Sequence, residues 1–221
     1  MSTTATSMDE LLTRARRLVA GGRRTILGLV GAPGAGKSTV SAALVEALGP
    51  DVAVVVPMDG FHLANEVLRE QGLADVKGNI DTFDAPGYAA LLHRLRDQGA
   101  DEIVYAPRFD RTLEESIGSA IRVDPDVALV ITEGNYLLSD GLHWERSRAT
   151  LTESWFIQVP QDLRLRWLID RHIAHGRSPQ AAREWVMRSD EVNARLVMST
   201  AERADVLVAL PVQDVAPAQP N

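Results

Sequence analysis

Apolar residues along this chain fall into two kinds of run. Continuous aliphatic stretches at Thr25–Val30 (TILGLV), Asp51–Val56 (DVAVVV), Val127–Thr132 (VALVIT), Trp155–Val159 and Asp205–Leu210 (DVLVAL) read as strands, and their lack of polar alternation suits a parallel sheet buried on both faces. Between them, apolar positions at helical spacing predict helices over Asp9–Ala20, Ser38–Leu48, Tyr88–Gln98, Asp162–His175 and Gln180–Thr200. Gly21-Gly22 ends the first helix, and Gly176-Arg177-Ser178-Pro179 separates the last two. A short strand near Glu102–Tyr105, with a hairpin partner at Ala120–Val123, flanks the polar stretch Ala106–Glu115. Strands alternating with helices indicate an α/β fold, a doubly wound parallel sheet with helices on both faces. The expected organisation is an N-terminal helix packed on the domain in residues 1–22, one domain over 23–210 and a flexible, Pro- and polar-rich tail over 211–221.

The segment Pro57–Gly87 breaks this rhythm. It is too long for a plain connector and carries Asp59, Asp75, Asp81 and Asp84, so a functional loop is expected there. Composition narrows the partners. A net charge of −7 argues against a nucleic-acid binder, and no run approaches the ~20 apolar residues needed to span a bilayer. Zero cysteines exclude disulfides, thiol catalysis and Cys-ligated zinc, and the histidines lack metal-ligand spacing. A cytoplasmic protein, monomeric or homodimeric, acting on a small molecule is the expectation.

Chemistry enters at GAPGAGKST, where Gly31, Ala32, Pro33, Gly34, Ala35, Gly36, Lys37, Ser38 and Thr39 fit the phosphate-binding loop pattern between a strand and a helix. Glycines let successive backbone N–H groups curl toward one phosphate chain. Lys37 then reaches the β- and γ-phosphates, and the Ser38 hydroxyl ligates Mg²⁺. ATP and Mg²⁺ are the implied ligands. No Asn-Lys-x-Asp guanine motif, no Leu-Ser-Gly-Gly-Gln signature and no apolar run ending in Asp-Glu occurs, which sets aside GTPases, transporters and motor ATPases.

Two carboxylates follow apolar runs at the edge where α/β sheets bind ligands. Asp59 can take a proton from an attacking hydroxyl, or serve only as a turn aspartate before Gly60. Glu133 can hold a Mg²⁺-bound water or a hydroxyl, or merely cap the Gly134-Asn135 turn. Arg164, Arg166 and Arg171 lie on one predicted helix with Arg177 just after it. Arg171 is the choice for a cation on a mobile lid over residues 171–189. Trp144, Trp155, Trp167 and Trp185 read first as packing residues.

The ordered set GAPGAGKST, MDGFHLAN (58–65), KGNIDTFD (77–84), PRFDR (107–111), ITEGNYLL (131–138) and RHIAHGRS (171–178) resembles the phosphoribulokinase, uridine kinase and bacterial pantothenate kinase superfamily. The likeness is greatest to the branch described as fructose-transport-system or nucleoside/nucleotide kinases, and runs from about Arg24 to Leu210. The resemblance implies a P-loop kinase fold with a helical lid and transfer of the γ-phosphate of ATP to a hydroxyl. It assigns Asp59 as catalytic acid, Glu133 as the acid of the Glu-Gly motif and Arg171 as lid arginine, with Lys37 completing the catalytic set. Sugar, nucleoside and pantothenate-like acceptors all stay open, with Asn65, Lys77, Asp81, Asp84, Arg108 and Asp110 as candidate contacts and His62 as a packing residue. The alternative is a nucleotide-dependent regulatory module without a small-molecule acceptor.

Overall fold

The structure, a computed structural model, describes residues 3–215. Strand β1 (Thr3–Ala5) leads into helix α1 (Met8–Val19), capped by the Ser7 hydroxyl, which accepts from the Glu10 amide. Then come β2 (Thr25–Val30), α2 (Lys37–Leu48) and β3 (Ala53–Val55). A single-turn helix at Met58–Phe61 follows, then α3 (Asn65–Glu70) and α4 (Ala85–Arg96). The hairpin β4 (Val104–Asp110) and β5 (Glu115–Val123) precedes β6 (Leu129–Gly134), α5 (Leu142–Thr150), β7 (Glu153–Ile157) and α6 (Gln161–Ala174). The chain closes through α7 (Pro179–Trp185), a π-helical turn at Val186–Asp190, α8 (Glu191–Met198), β8 (Val206–Val208) and α9 (Val212–Val215).

Six strands pair in the order β1-β8-β7-β2-β6-β3, all parallel, so the α/β reading holds. Two apolar layers cover the sheet. Leu11 and Ala15 of α1, Val40 and Leu44 of α2, and Trp155 pack on one face; Tyr88, Leu92 and Leu95 of α4, with Trp144 and Phe156, pack on the other. Trp144 and Trp155 are therefore packing residues, as expected.

Local differences from the sequence reading have physical causes. Strand β1 is only three residues long, and helix α5 (LHWERSRAT) has polar residues all round, so neither carries a periodic signal. The hairpin expected between Glu102–Tyr105 and Ala120–Val123 is present as a two-stranded sheet apart from the main one, and its strands run on through the polar stretch as far as Asp110 and Glu115. The segment 57–87 is not structureless: it folds into α3 and three single-turn helices. At the tail, Val215 of α9 is fully buried, and its carbonyl would lie 2.5 Å from a Cβ built on Gly36 (φ +86°). The rest of the tail, 216–221, lies outside the described residues. Among the described residues no helix is long and apolar enough to cross a membrane.

Candidate active site

Strands β2, β3 and β6 end side by side, and the loops after them line one cavity of about 340 Å³. The phosphate loop forms one wall, from Pro33 to Thr39. Its lysine is turned inward: Lys37 Nζ donates to the carbonyls of Gly31 (2.8 Å) and Ala32 (3.2 Å) and to Asn135 Oδ1 (2.8 Å). Burial lowers the Lys37 pKa to about 8, against the opposing pull of Glu133 and Asp59.

Glu133 faces the same loop from β6. Its Oε1 accepts from the Ser38 hydroxyl at 2.8 Å and its Oε2 from Ser41 at 3.0 Å. Burial raises its pKa, and the two serine bonds and Lys37 oppose that rise. Behind it, the Tyr88 hydroxyl donates to Thr132 Oγ1 (2.7 Å), whose own proton goes to the Val56 carbonyl (2.8 Å). This relay ties the ends of β6 and β3 together and so fixes Glu133 relative to Asp59.

Asp59 sits on the single turn Met58–Phe61 directly after β3. Its Oδ2 meets Arg111 of the β4–β5 turn at 3.3 Å. Gly60 makes this approach possible, because a Cβ there would lie 2.4 Å from the Pro107 carbonyl oxygen. From the opposite side α6 brings Trp167, Leu168 and Arg171 to the cavity, and the π-turn and α8 add Asp190 and Asn193. Burial lowers the Arg171 pKa, with Arg111 next in effect. Asp190 is held by His172 Nε2 at 2.9 Å.

The cavity thus brings together Lys37, Ser38, Asp59, Glu133 and Arg171, while Ala32 and Gly31 support it from the loop base. None of the six residues expected to contact an acceptor lines it. Asn65 and Lys77 bond each other (2.6 Å), and both reach the Glu114 carbonyl. Asp84 caps α4 through the Gly87 amide (2.9 Å), and Asp110 accepts from the Thr112 and Leu113 amides (2.9 and 3.0 Å) to shape the hairpin turn. Asp81 and Arg108 are exposed outside the cavity. His62, Arg111, Asn135, Asp190 and Asn193 stand there instead. Asp190 and Asn193 are three residues apart, so their shared helix face was a usable signal. Of the four helix-region arginines, Arg164 is buried structure: it binds Glu191 and the Pro33 carbonyl (3.2 Å).

Among the described residues no group of three or more His, Cys, Asp or Glu side chains is arranged to hold a metal. A Mg²⁺ needs less protein than that when phosphates and waters supply the other ligands, and the Ser38–Glu133 pair offers a hydroxyl and a carboxylate at the phosphate loop.

Known proteins share this framework. The profile of the Phosphoribulokinase / Uridine kinase family matches residues 26–216. A candidate uridine kinase of Schizosaccharomyces pombe is 31% identical over 212 residues, covering 91% of this chain and 90% of the relative. YggC of Escherichia coli (strain K12) is 32% identical over 192 residues, 85% of this chain and 78% of the relative. The crystal structure of a candidate fructose transport system kinase from Silicibacter sp. TM1040 superposes with a TM-score of 0.83 at 36% identity, covering 92% of this chain and 99% of that one. A phosphate loop opposed by a carboxylate pair at one sheet edge, on a chain matched over nearly its whole length, makes this protein a member of the phosphoribulokinase/uridine kinase family, whose members are ATP-dependent small-molecule kinases acting on alcohol groups.

Proposed function

We propose that this kinase transfers the γ-phosphate of ATP to a hydroxyl of a small metabolite, with Asp59 as the base and Lys37, Ser38, Glu133 and Arg171 holding the triphosphate. The observation that carries the reading is the convergence of these five side chains on one cavity, with Ser38 and Glu133 bonded at its floor. Asp59 accepts the acceptor's hydroxyl proton as that oxygen forms its bond to the γ-phosphorus. The bond from the γ-phosphorus to the β,γ-bridging oxygen breaks, and ADP leaves. Ser38 and Glu133 would hold Mg²⁺, which supplies positive charge at the β- and γ-phosphate oxygens when bound. Lys37 swings from the Gly31 and Ala32 carbonyls to the triphosphate, and Arg171, whose guanidinium has no hydrogen bond among the described residues, completes the clamp. Incubation with ATP, Mg²⁺ and a panel of sugars, nucleosides and pantothenate-like compounds, read by product mass, tests the assignment. Nucleotide binding without any phosphorylated acceptor would favour a regulatory ATPase.

Nucleotide affinity should depend on pH through Lys37. Its ammonium is the form that binds phosphate, yet in the free protein it titrates near 8. Above that pH, binding must take up a proton, so affinity falls by up to about tenfold per pH unit, while below pH 7 it is flat. Calorimetric titration from pH 6.5 to 9.5 in buffers of different ionisation enthalpy reads both the slope and the proton uptake. A flat profile through pH 9 would return Lys37 to an ordinary exposed-lysine pKa.

Residues 171–189 form the lid in this reading. Gly176 (φ +91°) breaks the helix between α6 and α7, and the guanidinium groups of Arg177 and Arg188 pack over Trp185 at 4.2 and 5.4 Å. Of the arginines in this segment, Arg171 lines the cavity. Amide exchange of this segment should slow on adding a non-hydrolysable ATP analogue. Equal exchange with and without the analogue, at saturation, would make the segment a static helical hairpin.

A further inference from the structure

We propose that the phosphate acceptor is an anion, a hydroxyl compound that also bears a carboxylate or phosphate, and that Arg111 selects it. The inference rests on the kinase reading and goes on to name the acceptor's charge. The β4–β5 hairpin delivers one side chain, Arg111, to the cavity. Asp110 pins the β4–β5 turn through two amides, the Ser116 hydroxyl donates to the His62 carbonyl (3.0 Å), and the Phe109 ring stacks on His62 at 4.7 Å. With the Pro107 carbonyl seated against Gly60, the hairpin and the Asp59 turn form one body. Arg111 is thereby fixed at the cavity wall beside the carboxylate that meets the acceptor hydroxyl.

The charges of the cavity then leave Arg111 over. Glu133 is engaged by Ser38 and Ser41, and Asp190 by His172. Lys37 and Arg171 turn to the triphosphate. Arg111 has Asp59 as its ion-pair partner among the described residues, through one nitrogen at 3.3 Å, and about half of its side chain is exposed. A guanidinium carries five N–H donors in a planar fork suited to carboxylate or phosphate. Once an acceptor hydroxyl occupies Asp59, a neutral molecule leaves that fork without an anion, whereas an acid or a phosphate ester fills it. The Gly78 carbonyl, an acceptor that could serve a neutral hydroxyl compound at the cavity, is already committed: it accepts from both Tyr136 (2.7 Å) and Asn193 (3.2 Å).

The test pairs each anionic acceptor with a neutral analogue on the full chain with ATP and Mg²⁺: glycerate with glycerol, pantothenate with panthenol, and ribose 5-phosphate with ribose, uridine being added to the neutral set. Phosphorylation is expected to favour the anionic members, the carboxylate and phosphate arms telling which group the fork holds. In Arg111→Gln the anionic acceptor's KM should rise roughly 10–100-fold, the loss of a charge-assisted pair, without a matching loss of ATP affinity. Arg111→Lys should recover part of the preference. Neutral members used as well as their anionic partners would overturn the inference and leave the kinase reading standing. So would an Arg111→Gln variant that loses ATP affinity and acceptor affinity alike. Bound ATP with no acceptor in either set phosphorylated would sink both readings together.

Discussion

Asp59→Asn is expected to bind ATP nearly as the parent does and to turn over ~10²–10⁴-fold more slowly, the range for loss of a general base. Asparagine keeps the side-chain volume and a carbonyl oxygen for Arg111, but cannot take a proton from a hydroxyl. The Asp59–Arg111 contact is long and partly exposed, so losing its charge costs about 0–1 kcal/mol of stability and cannot account for a collapse in rate. Steady-state kcat, nucleotide Kd and a melting curve on the same preparation separate these effects. Full activity in Asp59→Asn would leave the residue as a turn aspartate with an arginine neighbour.

The second large effect is on stability. Glu191→Gln should destabilise the fold by about 3–5 kcal/mol, because it leaves Arg164 as a buried cation without its counter-charge. Both side chains are 7% exposed; Gln161 supports Glu191 at 3.1 Å, and Arg164 also holds the Pro33 carbonyl of the phosphate loop. The pair is thus a brace between α6, the start of α8 and the loop. Urea denaturation reads the loss. The double change Arg164→Met with Glu191→Leu should recover most of it, since an apolar pair of similar volume removes the unpaired charge. A deficit under 1 kcal/mol in Glu191→Gln would mean that water reaches the pair.

Much of the scaffold was legible because burial on both faces writes itself as uninterrupted aliphatic runs. Strand β2 matches its predicted limits, and β6 starts two residues later than read. The phosphate loop was equally plain, since its spacing follows from backbone geometry. The cavity lining opposite the phosphate loop was less legible. An aspartate in a polar loop looks the same whether it faces a substrate or an amide, and Asp84 and Asp110 turned out to face amides. Asp84-Ala-Pro-Gly carried a usable clue, a capping residue before a Pro in the first helical turn. Arg111 and Asn135 stood inside quoted motifs without a role, because only tertiary pairing brings them to the cavity: the hairpin against the Asp59 turn for Arg111, and β6 beside β2 for Asn135.

Strand β1 has a consequence for handling the protein. Its three residues pair with β8 from Thr3↔Val206 to Ala5↔Val208, and at the far side the sheet ends on the equally short β3. Both borders therefore offer little free backbone for another chain to add to, a common defence against edge-to-edge aggregation. Stripping Thr3–Ala5 would uncover Val206-Leu207-Val208, an aliphatic ladder with unpaired amides and carbonyls. Self-association from that border would then appear before any loss of the phosphate loop.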